Sequence, residues 1–152
     1  LAAVCSRTIT VIRHDDTALA SLLAAEGLET VVCAAAEQGM GHSLSCGVAA
    51  SADADGWLIA LGDMPYIAPA TIRRVLAAPQ AATTVVIPTF EGRRGHPVGF
   101  SSELFSELLA LEGDEGARRL VARYPAHAVQ VEDAGILVDI DTEHDLAAAR
   151  AV

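Results

Sequence analysis

The chain has 152 residues, of which 52% are apolar and 4% aromatic, a size and composition typical of one globular domain with helices packed on a Val- and Ile-rich sheet. Twenty acidic residues against ten basic ones give a formal charge of −10, which argues against nucleic acid or an anionic membrane surface as a partner because backbone phosphates require a basic stripe. No apolar run is long enough to cross a membrane and no basic region leads into a signal-type core, so we expect a soluble, cytoplasmic protein.

Strands and helices alternate along the chain. Apolar, β-branched runs predict strands over residues 8–12, 29–35, 56–63, 83–90, 98–100, 127–132 and 136–140. Helical patterns cover residues 15–27, 39–56, 69–78, 101–113, 114–125 and 142–152. Nearly continuous apolar strands separated by helices predict an α/β fold, a mainly parallel sheet with helices on both faces.

Turn and cap residues mark the ends of several elements. Asp15 or Asp16 is placed to cap the first helix, and Gly27 to end it. Pro69 is expected to begin the third helix and Pro79 to end it. Pro88 is expected to end the fourth strand. In residues 91–100, two early glycines and a proline predict a hairpin-like turn followed by a short strand.

The three cysteines, Cys5, Cys33 and Cys46, are odd in number, widely spaced and set among apolar neighbours. This pattern predicts neither a disulfide framework nor a zinc knuckle. We therefore expect three reduced thiols. Apolar surroundings raise the pKa of a thiol, so covalent catalysis by cysteine is not expected.

Asp63 follows the apolar run that begins at Gly56, and Pro65 prevents that strand from continuing. In open α/β sheets, ligands gather at the carboxyl ends of the strands, where this carboxylate is expected to project. An acid that merely caps the following turn explains the same pattern.

Asp139 and Asp141 alternate on the last predicted strand, which would point both side chains to one face. Two acids so placed repel each other unless a cation lies between them. Mg²⁺ binds one or two carboxylates together with phosphate oxygens and water, so one acid from each of two strands would suit it. Alternatively, Asp141 or Thr142 simply caps the C-terminal helix.

Gly39, Gly41 and Ser43 fall at a predicted junction of strand and helix, with Ser43 or a neighbour as the cap. Backbone N–H groups at such a junction can receive an anion or the edge of a base. The spacing matches neither the dinucleotide fingerprint nor the P-loop, and a plain tight turn explains it equally well.

Arginines and histidines offer weaker signals. Arg93 and Arg94 precede His96 in a glycine-containing loop, where they would either clamp a phosphate or be solvated. His14 and His42 have no companion at a metal-ligand spacing, so no zinc site is predicted.

Five strings in order, GMGHSLSCGV, LGDMPYI, GRRGHPVGF, GDEGARRL and VDIDTEHDL, resemble the molybdenum cofactor nucleotidyltransferases, in particular the cytidylyltransferase branch. The match runs from about residue 8 to residue 150. The resemblance implies a Rossmann-like, three-layer αβα fold in one domain over residues 1–152. It also implies a cytoplasmic, Mg²⁺-dependent transfer of CMP from CTP to molybdopterin with release of pyrophosphate, and a molybdoenzyme as a possible recipient.

The resemblance also implies roles for individual residues. Asp63 and Asp141 would be catalytic, and Asp63, Asp139 and Asp141 would hold Mg²⁺. The residues expected to border the nucleotide or the acceptor are Gly39, Gly41, Ser43, Gly62, Gly95, His96 and Pro97. Family members that use GTP more often carry another residue in place of Gly62, which favours CTP here.

The resemblance is incomplete at the N-terminus, because family members open with a strand and a Gly-rich loop with Arg and Lys that cradles the triphosphate. We expect such a segment to precede Leu1 in the whole protein; the alternative is a remnant that cannot turn over. Two alternatives stay open: transfer to a sugar phosphate or another phosphorylated acceptor, and a non-catalytic module that binds the cofactor or acts as its chaperone.

Overall fold

The computed structural model describes residues 1–78, 85–142, 144, 145 and 147. The strands are β1 (Ile9–Arg13), β2 (Glu29–Cys33), β3 (Gly56–Ile59), β4 (Val85–Phe90), β5 (Arg93–Arg94), β6 (Val98–Ser101) and β7 (Ala126–Gln130). The α-helices are α1 (Thr17–Ala25), α2 (Met40–Ala49), α3 (Pro69–Leu76), α4 (Phe105–Leu109) and α5 (Arg118–Arg123). Short 3-10 helices cover Ala36–Gln38, Ser102–Leu104 and Ala134–Leu137.

The chain divides into two compact units, residues 1–57 with 101–125 and residues 58–100 with 126–152. In the first unit, β1 and β2 pair in parallel, with Ile9 opposite Glu29. The helix between them is α1, and its N-cap is Asp16, whose Oδ1 accepts a hydrogen bond from the Leu19 N–H at 3.1 Å. Gly27 follows the helix with φ +68°. Both expected ends of this helix are confirmed.

The first unit is completed by α2 and α4, which pack together. The Ser45 hydroxyl on α2 donates to the Leu109 carbonyl at 2.9 Å. Trp57 stacks on Phe105 with ring centroids 5.7 Å apart, and its indole N–H donates to the Ser51 hydroxyl. The buried apolar residues of this unit include Ile12, Leu23, Cys33, Val48, Leu104, Leu108 and Leu120.

The prediction of three reduced thiols is wrong. Cys33 at the end of β2 and Cys46 in α2 form a disulfide, with their Cα atoms 5.9 Å apart and a sequence separation of 13. The cause is tertiary, since α2 packs back against β1 and β2 and so brings the two cysteines together. Cys5 is free, and burial raises the pKa of its thiol, partly offset by the positive N-terminus.

The second unit begins at Leu58, within β3. It is built around a five-stranded sheet with the order β3-β6-β4-β5, in which β7 also pairs with β4. The β4–β7 pair is parallel, whereas β5 and β6 run antiparallel to β4. The loop between β4 and β5 has positive φ at Glu91 and Gly92, as a two-residue hairpin loop requires. The expected hairpin is confirmed, and it makes the sheet more mixed than the apolar runs indicated.

Pro88 does not end the fourth strand as predicted, because β4 continues to Phe90. Among the described residues, β6 pairs with β4 at Val85 and Val86, so the missing N–H of Pro88 removes no hydrogen bond from this pairing. The Pro88 carbonyl still accepts a hydrogen bond from the Gly95 N–H at 3.0 Å.

Helix α3 begins at Pro69 as expected, since proline at the first helical position fixes φ and needs no N–H partner. Its inward face packs on the sheet of the second unit, where Val75 and Ala78 contact Val86. The buried apolar residues of this unit include Met64, Ile72, Val75, Val85, Val86, Ile87, Val98, Phe100, Val131 and Ile136.

The last predicted strand, residues 136–140, is also wrong. The chain forms a 3-10 helix over Ala134–Leu137 instead, capped by the Asp133 carboxylate, which accepts from the Gly135 N–H at 3.0 Å. A side chain at Gly135 would collide with the Tyr66 carbonyl, so this segment approaches its neighbour by backbone contact. The expected C-terminal helix and the stop at Pro79 fall largely or wholly outside the described residues.

The α/β class is confirmed. Within the part of the chain that the structure describes, no helix has the length and apolar character needed to cross a membrane.

Candidate active site

Asp63 lies in an exposed turn of the second unit. β3 ends at Ile59, so three residues separate Asp63 from the strand that was expected to carry it directly. Its main-chain carbonyl accepts a hydrogen bond from the Ile140 N–H at 2.8 Å, and the next residue, Met64, is buried. The backbone is therefore anchored at Asp63 and at the next residue, while Asp63 itself is exposed.

Asp139 and Asp141 flank Ile140, the residue that binds the Asp63 carbonyl. Both side chains are exposed, and neither residue lies in a strand. The expected strand alternation is thus absent, but a single backbone hydrogen bond brings both acids to the turn that holds Asp63.

The three acids do not form a closed metal cage. Among the described residues, three-ligand groups with all ligand atoms within 4.8 Å of one another include only His14, Asp15 and Glu37. The second unit instead offers carboxylate oxygens from two adjoining segments. Such a donor set fits Mg²⁺ or Mn²⁺, which bind hard oxygen ligands and keep positions for phosphate and water.

His96 belongs to the same unit and is half-buried. Burial lowers the pKa of its imidazole, while a hydrogen bond to the Ile59 carbonyl and the negative charge of Asp63 act in the opposite direction. Its Nδ1 is buried and has no hydrogen-bond partner. Near neutral pH this imidazole is therefore uncharged and has an unsatisfied nitrogen.

The backbone around His96 is fixed by the 3-10 helix Ala134–Leu137. The His96 N–H donates to the Ile136 carbonyl at 3.1 Å. At Gly95 a Cβ would come within 2.7 Å of Ile136 Cγ1, so this position requires glycine. Pro97 is buried behind it. The adjacent Arg93 and Arg94 form β5 and are exposed.

Gly39, Gly41 and Ser43 lie in the first unit. Gly39, with φ +124°, is the N-cap of α2, which begins at Met40. Ser43 is therefore a helical residue, and its expected role as the cap is wrong. The N–H of Gly41 donates to the Gly113 carbonyl at 2.8 Å. This donor is already satisfied by the chain, unlike the free N–H groups that an anion would need.

The group formed by His14, Asp15 and Glu37 was not predicted. Its members come from the chain after β1 and from the 3-10 helix after β2, and all three are exposed. Sequence spacing hides it because Glu37 is brought near by the parallel pairing of β1 and β2. Arg13 Nε lies 3.7 Å from Asp15 Oδ1 and already compensates part of its charge.

Residues 1–129 match the family described as MobA-like NTP transferase domain. This chain belongs to that family. The matched range holds Asp63, His96 and the Gly39 region, and the acid pair at 139 and 141 follows it.

Individual proteins support the assignment. The purine catabolism protein PucB of Bacillus subtilis (strain 168) is 41% identical over 122 residues, which are 76% of this chain and 58% of PucB. The chain thus spans less than two thirds of that relative. Rv0371c of Mycobacterium tuberculosis H37Rv, also solved as a complex with manganese, is 30% identical in that complex, with a TM-score of 0.81 and coverage of 97% of this chain and 79% of Rv0371c.

A more distant structure shows the fold alone. The molybdopterin-guanine dinucleotide biosynthesis protein A of Archaeoglobus fulgidus is 17% identical, with a TM-score of 0.67 over 93% of this chain and 77% of that protein.

Proposed function

We propose that this chain is the nucleotidyltransferase domain of a protein that joins CMP from CTP to molybdopterin and releases pyrophosphate. The observation that carries the proposal is the hydrogen bond from Ile140 to Asp63, which joins two acid-bearing segments in a chain of the MobA-like family. The ordered motifs that resemble the cytidylyltransferase branch support the choice of CTP and molybdopterin.

The reaction depends on positioning the substrates and neutralising the charge of their phosphates more than on covalent bonds to the protein. An acceptor phosphate oxygen would attack the α-phosphorus of CTP, and the bond from that phosphorus to the bridging oxygen would break as pyrophosphate leaves. Asp63 with Asp139 or Asp141 would hold Mg²⁺, which would compensate the charge on the phosphates when bound. The manganese complex of Rv0371c supports a divalent cation in this fold.

Other residues would shape the substrate sites. Gly62 is exposed, with no atom within 4 Å of the position of a Cβ, so the space beside the turn stays open for a base. His96, uncharged and with a free nitrogen, would border the acceptor with Gly95 and Pro97. Gly39, Gly41 and Ser43 lie in the first unit, and their place beside the nucleotide stays a prediction from the sequence.

The same proposal includes molybdopterin as the acceptor, a protein that receives the finished cofactor, and a cellular location. We propose a molybdoenzyme as the recipient, and the name of PucB supports one that works in purine catabolism. A cytoplasmic location and a single domain over residues 1–152 remain predictions.

The test is pyrophosphate release by the whole protein with Mg²⁺, with CTP or GTP, and with molybdopterin or a sugar phosphate as the acceptor. We expect release with CTP and molybdopterin together, and little release when either is omitted. Faster release with GTP would overturn the choice of nucleotide, and release only with the sugar phosphate would overturn the acceptor. Cofactor binding without any turnover would favour a carrier module.

A further inference from the structure

Asp133 is a half-buried acid whose carboxylate accepts three hydrogen bonds within the second unit. Oδ2 accepts from the Ala68 N–H at 2.9 Å and from the Thr71 hydroxyl at 2.6 Å. Oδ1 accepts from the Gly135 N–H at 3.0 Å. The carboxylate therefore ties the first turn of α3 to the 3-10 helix Ala134–Leu137, although these residues are more than 60 positions apart in sequence.

Two further contacts join the same two segments. The Gly135 backbone approaches the Tyr66 carbonyl so closely that no side chain would fit there. Beyond it, the Ile140 N–H donates to the Asp63 carbonyl at 2.8 Å. Residues 133–140 thus run along residues 63–71, held at one end by the Asp133 side chain and at the other by a backbone bond beside the candidate metal ligands.

The 3-10 helix held by Asp133 also fixes His96. The Ile136 carbonyl accepts a hydrogen bond from the His96 N–H at 3.1 Å. Asp133 is accordingly the one described side chain that hydrogen-bonds both to the helix after the Asp63 turn and to the segment that supports His96.

We propose that Asp133 is a positioning residue for the metal and nucleotide site: it sets the spacing between the Asp63 turn and the segment of Asp139 and Asp141. This inference rests on the proposed function, in which those acids hold a divalent cation. Asp133 itself contacts neither metal nor substrate, because all three of its hydrogen bonds are made to the protein. Its effect is transmitted through the backbone, as that of outer-shell partners is at other metal sites.

The experiment measures Mn²⁺ binding by electron paramagnetic resonance, and kcat as a function of Mn²⁺, in the whole protein. Asp133→Asn keeps the shape and removes the charge that three donors face. Thr71→Val is nearly isosteric and removes one donor, while Thr71→Ser keeps the hydroxyl. Glu132→Gln is the matched control, because it removes one negative charge at the neighbouring exposed position.

We expect Asp133→Asn to weaken Mn²⁺ binding at least about tenfold, the low end of the effect of outer-shell partners. Saturating Mn²⁺ should restore most of kcat. Thr71→Val should weaken binding less, Thr71→Ser should match the wild type, and Glu132→Gln should bind as the wild type does. Asp133 and Thr71 share one hydrogen bond. The loss of Mn²⁺ affinity in the double variant Asp133→Asn, Thr71→Val should therefore be smaller than the product of the two single losses.

Unchanged Mn²⁺ binding in Asp133→Asn, with a lowered melting temperature, would show a purely structural cap and overturn the inference. If Asp133→Asn does not fold, the pair Thr71→Val and Thr71→Ser decides, and equal Mn²⁺ affinity in the two overturns it. Measurements on the wild type separate a failure of the Asp133 inference from a failure of the proposed function. A wild type that neither binds Mn²⁺ nor turns over nucleotide contradicts both proposals.

Discussion

At the scale of single residues, the candidate site combines exposed acids with a buried imidazole. Asp63, Asp139 and Asp141 face solvent, so each can exchange water for a metal ion at little cost in desolvation. His96 lies among backbone contacts, with one nitrogen buried and unsatisfied. Leaving such a group without a partner costs about 1–3 kcal/mol, which is a reason to expect a ligand atom beside it.

The buried imidazole predicts a pH dependence of stability. Burial lowers the pKa of His96 in the folded state below its ordinary value of 6.5. The unfolded chain therefore binds the proton more readily, and the free energy of unfolding should fall as the pH drops below 6.5 toward the folded-state pKa. In His96→Gln this part of the fall should be absent. Urea unfolding at a series of pH values, without divalent cations, measures it.

His127→Gln is the matched control, because it removes an exposed histidine of β7 and should keep the wild-type pH dependence. An identical pH dependence in wild type and His96→Gln would contradict the uncharged, buried state of His96.

The sequence was informative where a residue acts on its near neighbours. Asp16 was one of two expected caps of α1 because the N–H that its carboxylate accepts from lies only three positions away. Asp63 stood out because an acid and a proline follow an apolar run. Asp133 could not be recognised, since its donors at Ala68 and Thr71 are 65 and 62 positions away, and no local pattern records such contacts.

At the scale of elements, glycine spacing at the start of α2 reflects packing within the first unit. A Cβ on Gly41 would lie within 2.8 Å of the Glu112 backbone N, C and O atoms. Gly41→Ala must therefore push the 112–113 backbone away from the helix. We expect it to lower the free energy of unfolding by about 1–3 kcal/mol, as other overpacked substitutions do.

Gly62→Ala is the matched control for this prediction. The space around Gly62 is open and its φ is not positive, so the alanine should change stability by no more than about 1 kcal/mol. Denaturation of the two variants in guanidinium measures the difference. Equal stability of Gly41→Ala and Gly62→Ala would contradict the close approach of residue 112 to α2.

The elements themselves were largely predictable, whereas the contacts that reshape them were not. Apolar periodicity located β1, β2, β4, β7 and α1 to within a few residues of their bounds. A 3-10 helix over Ala134–Leu137 replaces the start of the strand expected at 136–140. Asp133 and Tyr66 fix the start of this 3-10 helix, and Tyr66 is distant in sequence. The disulfide of Cys33 and Cys46 was missed for the same reason, since it depends on how α2 packs against β2.

At the scale of the whole molecule, the negative charge and the family membership both favour a nucleotide site that depends on a cation. A chain with a formal charge of −10 repels a nucleotide triphosphate unless a cation lies between them. In the proposed function, exposed acids of this member of the MobA-like NTP transferase family would hold that cation. The α/β class followed from composition and alternating patterns, but the mixed sheet did not, because the antiparallel strands belong to a hairpin within one loop-like tract.

The central claim is that Asp63 holds the divalent cation in nucleotidyl transfer, and one comparison tests it most directly. Pyrophosphate release from CTP with Mg²⁺ and molybdopterin is measured for wild type, Asp63→Asn and Asp55→Asn, the last being the same change at another exposed acid. We predict that Asp63→Asn loses at least about 100-fold in kcat/KM, roughly 2.7 kcal/mol of transition-state stabilisation, at an unchanged melting temperature. Asp55→Asn should retain wild-type turnover. Full activity of a folded Asp63→Asn protein would contradict the account.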